Sequence, residues 1–302
     1  MADRFYTLLE GRGILGISGK DARSFLQGLI SNGIEKVNRQ HAIYAAMLTP
    51  QGKYLHDFFI AETPDALLLD CEGPRLEDLK KRLVMYRLRA KAEIEDQTCE
   101  YAAAALFGDG THEGLGLSAE PGSAAAFNTV LAGGAAYVDP RLAACGARAI
   151  LPRDGAAKAL EDAGFAPAPF ADYDQLRMGL GLPDGSRDMV VEKAILLENG
   201  FDEMGAADWK KGCYLGQELT ARTKYRGLIK KRLVPVDIDG PAPGPGTPIT
   251  LNDAGAGEMR SSSGDRGLAM VRLKYLDAEG AAPLKAGGAT VAPQKPDWMR
   301  SG

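Results

Sequence analysis

The sequence predicts an α+β fold ending in a small β-barrel or sandwich, and three observations carry that expectation. Short strand-like runs come in series, with helical stretches set between the series instead of following every strand, which separates the pattern from a doubly wound sheet. The stretch PAPGPGTP at 241–248 marks a change of composition. Beyond it the apolar pieces PITL, GLAMVRL and ATVAP are short and punctuated by Gly, Asn, Asp and Ser, as in small all-β modules. With 302 residues, 45% of them hydrophobic, the chain has material to build cores for about two domains at ~150 residues each. They are expected at 1–232 and 233–302.

ILGIS (14–18) reads as a strand, and Asp21 opens a helix that places Phe25, Leu26 and Leu29 on one face and is closed by Asn32-Gly33. AIYAAMLT and YLHDFFI flank the turn PQGK (50–53), and ALLLDC (66–71) follows the turn-prone ETPD, so these pieces form an antiparallel meander. PRLEDLKKRLVMYRLR is expected to be helical: Pro74 suits a first-turn position, and Leu76, Leu79 and Leu83 recur at the helical period. AEIED returns to strand. AAYVDPR and ARAILP add short strands, and ADYDQLRMGLGLP a helix stopped by Gly181 and Pro183. GRGILG (11–16) spells G-x-G-x-x-G, but its glycines run into a strand, not a helix N-terminus, so no pyrophosphate cradle is expected. GISGKD lacks the second glycine and the Ser or Thr of a phosphate loop.

Apolar stretches such as AAAALF (102–107) fall far short of the ~18 residues that span a membrane, and MADRFYTLLEGRG lacks a charged-then-apolar leader. Cys71, Cys99, Cys145 and Cys213 are widely spaced, and His41, His56 and His112 add no ligand-spaced pair, so no self-contained metal site is expected. Free thiols in a cytoplasmic setting, with no membrane contact, are the resulting expectation. The net charge of −4 conceals an asymmetry, because residues 210–232 carry eight Lys or Arg against Glu218 alone. Within that run Lys224, Arg226, Lys230, Lys231 and Arg232 suit an acidic partner. An acidic chain with few aromatics near its basic run is not expected to bind nucleic acid.

The stretch KGCYLGQE (211–218) concentrates the chemistry. Cys213 follows Lys210 and Lys211 and precedes a helix start, GQELTAR, and both features favour a thiolate, moving its pKa from ~8.5 toward ~7. Gly212 and Gly216 permit unusual backbone angles and close approach, and Gln217 and Glu218 supply donors and acceptors beside them. The competing reading is a small buried cysteine in a glycine-rich turn.

K-G-C-Y-x-G-Q-E followed by LTAR resembles the signature of the YgfZ family, T-protein-like factors that support iron-sulfur protein maturation. SGKDARSFLQGLISN, MLTPQGKYLHDFFI and LLENGFDEMGAADWKKGCYLGQELTARTKYRGLIKKRL are similar to family segments too, so the resemblance covers most of residues 14–235. The YRG and IKKRL continuation is most similar to the branch that includes the mitochondrial assembly factor. The resemblance implies a T-protein-like fold, with two interwoven α+β parts and a C-terminal β-barrel around a folate channel. It implies an accessory factor in iron-sulfur cluster assembly or repair on an aminomethyltransferase-like scaffold, in place of a classical enzyme. Its partners would be iron-sulfur assembly proteins or client iron-sulfur enzymes. Cys213 would act as a reactive thiol or as one ligand of a transiently shared cluster, within a motif that includes Lys211, Gly212, Tyr214, Gly216, Gln217, Glu218 and Arg222. Tetrahydrofolate or a derivative would bind near Asp57 and Arg177, and the basic run would attract a polyglutamylated folate tail. The alternative is a folate-dependent, aminomethyltransferase-like one-carbon enzyme. Against it, His56 stands where T-protein has the first of two aspartates, and Met178 and Gly179 leave no carboxylate where an R-x-E glutamate belongs.

Overall fold

The computed structural model describes residues 4–131, 134–227, 229–276 and 283–299. The chain divides into two compact units, each assembled from three separate stretches. The first comprises Met1–Leu48, Leu55–Tyr173 and Met204–Leu215; the second comprises Thr49–Tyr54, Asp174–Glu203 and Gly216–Gly302. The α-helices are α1 (Ala22–Gln27), α2 (Leu76–Arg87), α3 (Thr111–Gly114), α4 (Ala156–Asp162), α5 (Phe170–Gly179), α6 (Gly185–Asp188) and α7 (Gln217–Tyr225).

The first unit contains two sheets. In the five-stranded one, the meander Ile43–Leu48, Tyr54–Glu62 and Leu67–Glu72 continues into Arg12–Ser18, which pairs antiparallel with Glu93–Asp96 on its other edge. Phe25 and Leu26 of α1 and Leu76, Leu79 and Leu83 of α2 pack with Leu15, Ile17, Phe58 and Leu69 in one apolar cluster. That is the helical stripe expected for α2 meeting the alternate residues of its strands. The second sheet has six strands, with Tyr101–Gly108 between Arg4–Leu8 and Ala147–Pro152. Helix α4 covers it through Ala156 and Leu160.

In the second unit six strands close into a barrel: Lys231–Asp239, Pro248–Leu251, Ala254–Ser263, Arg266–Arg272, Leu284–Ala286 and Ala289–Pro293. Arg177, 1% exposed, ties α5 and α6 to this barrel. Its Nε donates to Asp174 Oδ1 at 2.6 Å and its Nη1 to Asp188 Oδ2 at 2.6 Å and to the Leu182 carbonyl at 3.1 Å. Ser261 of the long barrel strand donates to Asp188 Oδ1 at 2.6 Å and accepts from Arg177 Nη2 at 3.3 Å. Met178 next to it is fully buried with Leu233, Leu268 and Met270.

A second buried ionic network lies inside the first unit. Asp70 accepts from Arg12 Nε at 2.6 Å and from Arg148 Nε at 3.0 Å, and the Arg148, Arg141 and Arg12 guanidiniums lie 4.0, 4.9 and 5.8 Å from the centre of the Phe59 ring. Arg141 is paired with Asp139 at 2.7 Å. Burial alone would raise the Asp70 carboxyl, but Arg12 and Arg148 outweigh it and hold it below the usual carboxylate range. A depressed carboxylate stabilises the fold above its unfolded value of about 4, and that contribution is lost as pH falls through the folded value. Asp70→Asn strands two buried guanidiniums and is expected to cost ~3–5 kcal/mol at pH 7. The deficit relative to the unmodified chain should shrink on acidification, and denaturant unfolding across pH 3 to 7 checks both points.

Candidate functional site

Helix α1 stops at Gln27, and the carbonyls of Gly28, Ile30, Ser31 and Asn32 beyond it are met by donors from outside the helix. Residues 204–215 return to the first unit and supply the missing donors. Leu215 N donates to the Gly28 carbonyl at 3.0 Å and Asp208 N to the Ser31 carbonyl at 2.9 Å. Lys211 Nζ donates to the Ile30 and Asn32 carbonyls at 2.6 and 2.7 Å. Side chains answer in the other direction: Gln27 Nε2 to the Lys211 carbonyl at 2.9 Å, Ser31 Oγ to that of Ala206 at 2.7 Å, and Asn32 Nδ2 to that of Gly205 at 2.8 Å. Lys36 pairs with Asp208 at 2.7 Å. The returning segment is thus strapped down along its length.

Cys213 sits in the gap between two of these anchors, Lys211 and Leu215, and is exposed. Gly212 has φ +87°, a left-handed conformation that a side chain resists, so the glycine turns the chain outward where the thiol is presented. Tyr214 on the other side is buried, its ring 5.1 Å from Lys211 Nζ, and burial pushes its hydroxyl up to about 12. Burial pulls the Lys211 ammonium down to about 8, opposed by the charges of Glu35 and Asp208. The sequence suggested an electrostatic role for Lys211 beside the thiol; the geometry gives it a mechanical one, tying the loop. Among the other cysteines Cys99 is exposed, whereas Cys71 and Cys145 are buried and their thiols are pushed up to about 12 by burial.

The motif straddles the two units. Lys211, Gly212, Cys213 and Tyr214 belong to the first, and Gly216, Gln217, Glu218 and Arg222 to the second, where the last three lie on α7. In the second unit the turn PQGK packs against the start of α7: a Cβ on Gly52 would come within 2.9 Å of the Gly216 carbonyl oxygen. Of the expected folate residues, Asp57 is in the first unit, where its Oδ2 accepts from the Tyr44 hydroxyl at 2.7 Å, and Arg177 is in the second, held by the partners described above. Arg177 is a buried tie, because four acceptors converge on it from Asp174, Asp188, Leu182 and Ser261. His56 is buried, and burial with the nearby Arg75 pulls it down to about 4, so it is a neutral imidazole donating to Asp78 at 2.8 Å. Three cations of the basic run have acidic partners within the second unit. Lys224 pairs with Asp202 at 2.8 Å, Lys231 lies 3.8 Å from Glu198, and Arg232 is buried against Glu203. The sequence pattern gave Gln27, Ser31 and Asn32 no anchoring role; the signal was present as three polar residues in the apolar stretch LQGLISN. Among the described residues no group of three or more His, Cys, Asp and Glu is placed to hold a metal ion.

Comparison with known proteins bears on what such a strap and thiol serve. Residues 230–301 match the family described as the CAF17 C-terminal beta-barrel domain. The mitochondrial iron-sulfur cluster assembly factor IBA57 homolog of Pyricularia oryzae is 30% identical, over 98% of this chain and 85% of its own. IBA57 of Homo sapiens is 32% identical and that of Mus musculus 31%, each over 96% of this chain and 84% of the relative. The chain belongs to the IBA57 family. In fold it matches the glycine cleavage system aminomethyltransferase T of Bartonella henselae, with a TM-score of 0.76 over 99% of this chain and 87% of that one at 13% identity. The T-protein-like architecture with its C-terminal barrel is therefore the observed one. The YgfZ resemblance is refined by these relatives, which carry the IBA57 name within the same T-protein-like family. The cytoplasmic expectation is overturned, because the IBA57 relatives are named as mitochondrial proteins. Free thiols mark a reducing environment without distinguishing one compartment from another.

The burial pattern predicts a thiol count. A disulfide reagent at pH 8 should titrate two of the four cysteines in the folded chain, Cys99 and Cys213, and all four in denaturant, with Cys213→Ser reducing the native count to one. A native count of three or four would show that the cores around Cys71 and Cys145 open readily.

Proposed function

We propose that the chain is an accessory factor in iron-sulfur cluster assembly that acts through Cys213. The observation that supports this most directly is a solvent-exposed thiol, fixed on both sides by the strap, in a chain whose IBA57 relatives are named as cluster assembly factors. A single thiolate does not enclose a cluster, but it supplies one ligand to a cluster whose other ligands belong to a partner. Alternatively it attacks the terminal sulfur of a partner's persulfide, takes that sulfur, and releases the partner's thiolate. Both routes require an accessible sulfur and a partner held beside it. The partners proposed are iron-sulfur assembly proteins or client iron-sulfur enzymes.

The folate enzyme reading fits less well. Recognition of a pterin ring calls for a carboxylate accepting paired N–H donors. His56 is a neutral ring engaged with Asp78, and Met178 is packed in an apolar cluster, so neither position supplies that acid. The residues present do not fit aminomethyl transfer.

Two measurements test this. Cys213→Ser should fold normally yet fail to restore cluster-dependent enzyme activities to a deletion strain, while Cys71→Ser, Cys99→Ser and Cys145→Ser restore them; full rescue by Cys213→Ser would make the motif structural. Calorimetry with tetrahydrofolate should show binding no tighter than micromolar, and turnover with an aminomethyl donor would revive the enzyme reading.

A further inference from the structure

In the basic run at 210–232, Lys224, Lys231 and Arg232 have acidic partners, and a second basic run lies elsewhere in the chain. Residues 80–91 carry six Lys or Arg and no Asp or Glu. Arg82 pairs with Asp78, whereas Arg87, Arg89 and Lys91 stand exposed at the end of α2. Among these charges lie three exposed apolar side chains: Val84, Met85 at 60% and Leu88 at 87% of full exposure. Leu88 is held at φ +46°, a conformation that L side chains resist, just where α2 ends. Strain of that kind persists only where the surrounding structure imposes it, and it is concentrated at functional positions. Three residues on, Asp21 pins the chain, its Oδ2 accepting from Lys91 N at 2.8 Å while its own N donates to the Lys91 carbonyl at 3.2 Å.

Between this segment and α1 runs an open groove of about 390 Å³, lined by Asp21, Ser24, Phe25, Gly28 and Leu29 on one wall and by Tyr86 to Ala90 on the other, the Asp21 carboxylate being engaged by Lys91 N. Gly28 in its floor has ordinary helical angles, and a Cβ there would meet no atom within 4 Å. Neither backbone nor packing requires a glycine at that position; what it leaves is room. Gly28 is also the residue whose carbonyl receives Leu215 N, so the groove wall and the strap that carries Cys213 share an anchor.

We propose that this groove is the docking site for the protein that meets Cys213, and that it takes an acidic segment of that partner with an apolar side chain seated over Gly28. Charge complementarity selects an acidic occupant, and the rim charges speed its encounter. The concave floor favours an inserted side chain over a flat bilayer. This deepens the proposed function and rests on it for the identity of the partner, though not for the binding itself.

The probe is a labelled acidic peptide with one central leucine. It should bind the full chain, weaken steeply as salt is raised, and weaken at least tenfold when its leucine becomes serine. Gly28→Trp, whose Cβ would meet no atom within 4 Å, and the pair Arg89→Glu and Lys91→Glu should each reduce binding tenfold or more. Both should leave the alkylation rate of Cys213 unchanged and fail to restore cluster-dependent activities to a deletion strain. Peptide binding by folded Gly28→Trp within twofold of the unmodified chain overturns the site. So does binding of anionic lipid vesicles, or self-association, that Leu88→Glu abolishes while the peptide shows none. Cys213→Ser separates the two readings, because it should retain peptide binding and lose cluster support. If it kept cluster support the thiol's role would fall, while the peptide result would still decide the groove.

Discussion

The presentation of Cys213 depends on one set of interactions, the carbonyls left open after α1 and the donors that residues 204–215 bring back to them. The Gln27 and Lys211 partners are 184 residues apart in sequence. Closing so long a loop costs chain entropy before any contact rewards it, so the strap forms only if the intervening structure is already collapsing around it. The thiol is thereby made a reporter of the whole fold. Its motif is local in sequence, but its geometry is set by Gln27, Ser31 and Asn32 far upstream. Loss of stability elsewhere in the first unit would loosen the loop before it touched the cysteine.

The two units use buried charge in the same way. Asp70 holds two guanidiniums in the first unit, and Arg177 is held by Asp174 and Asp188 in the second. A buried pair often contributes little net stability, because desolvation offsets the Coulomb attraction, but breaking one partner is costly. What these networks supply is exclusivity of arrangement. Asp70 accepts from Arg12 and Arg148, which lie on strands of two different sheets, and Arg177 joins α5, α6 and a barrel strand. Alternative packings of the same elements would leave charges unpaired.

The strands of the meander, α2 and the late barrel pieces were legible because their apolar spacing matched one period cleanly. The strand Tyr101–Gly108 was not: AAAALF is rich in alanine, a helix former, and becomes a strand only because Arg4–Leu8 and Ala147–Pro152 pair with both its edges. The barrel strand Ala254–Ser263, AGAGEMRSSS, was read as separators, since Gly and Ser are poor strand formers and only closure of the barrel recruits them. Helix α1 ends at Gln27, short of the expected Asn32-Gly33, because Ser31 and Asn32 spend their side chains on the returning strap. Arg177 and Lys211 were legible as charges and not as ties. A sequence shows that a cation is present, but its acceptors here are backbone carbonyls and carboxylates brought in by tertiary folding.

A shared scaffold therefore carries little information about chemistry, and the particular side chains carry most of it. At 13% identity the T-protein likeness fixes the course of the backbone and nothing at the reacting centre. His56 is a neutral imidazole and Met178 a thioether in an apolar cluster, so neither brings a charge to the interior. The proposed chemistry lies at the surface instead, at the exposed Cys213 on a loop tied at Lys211 and Leu215. That arrangement suits a protein whose work is completed by another one, because an isolated sulfur of fixed position is useful only when a partner supplies the remaining ligands or the sulfur to be exchanged.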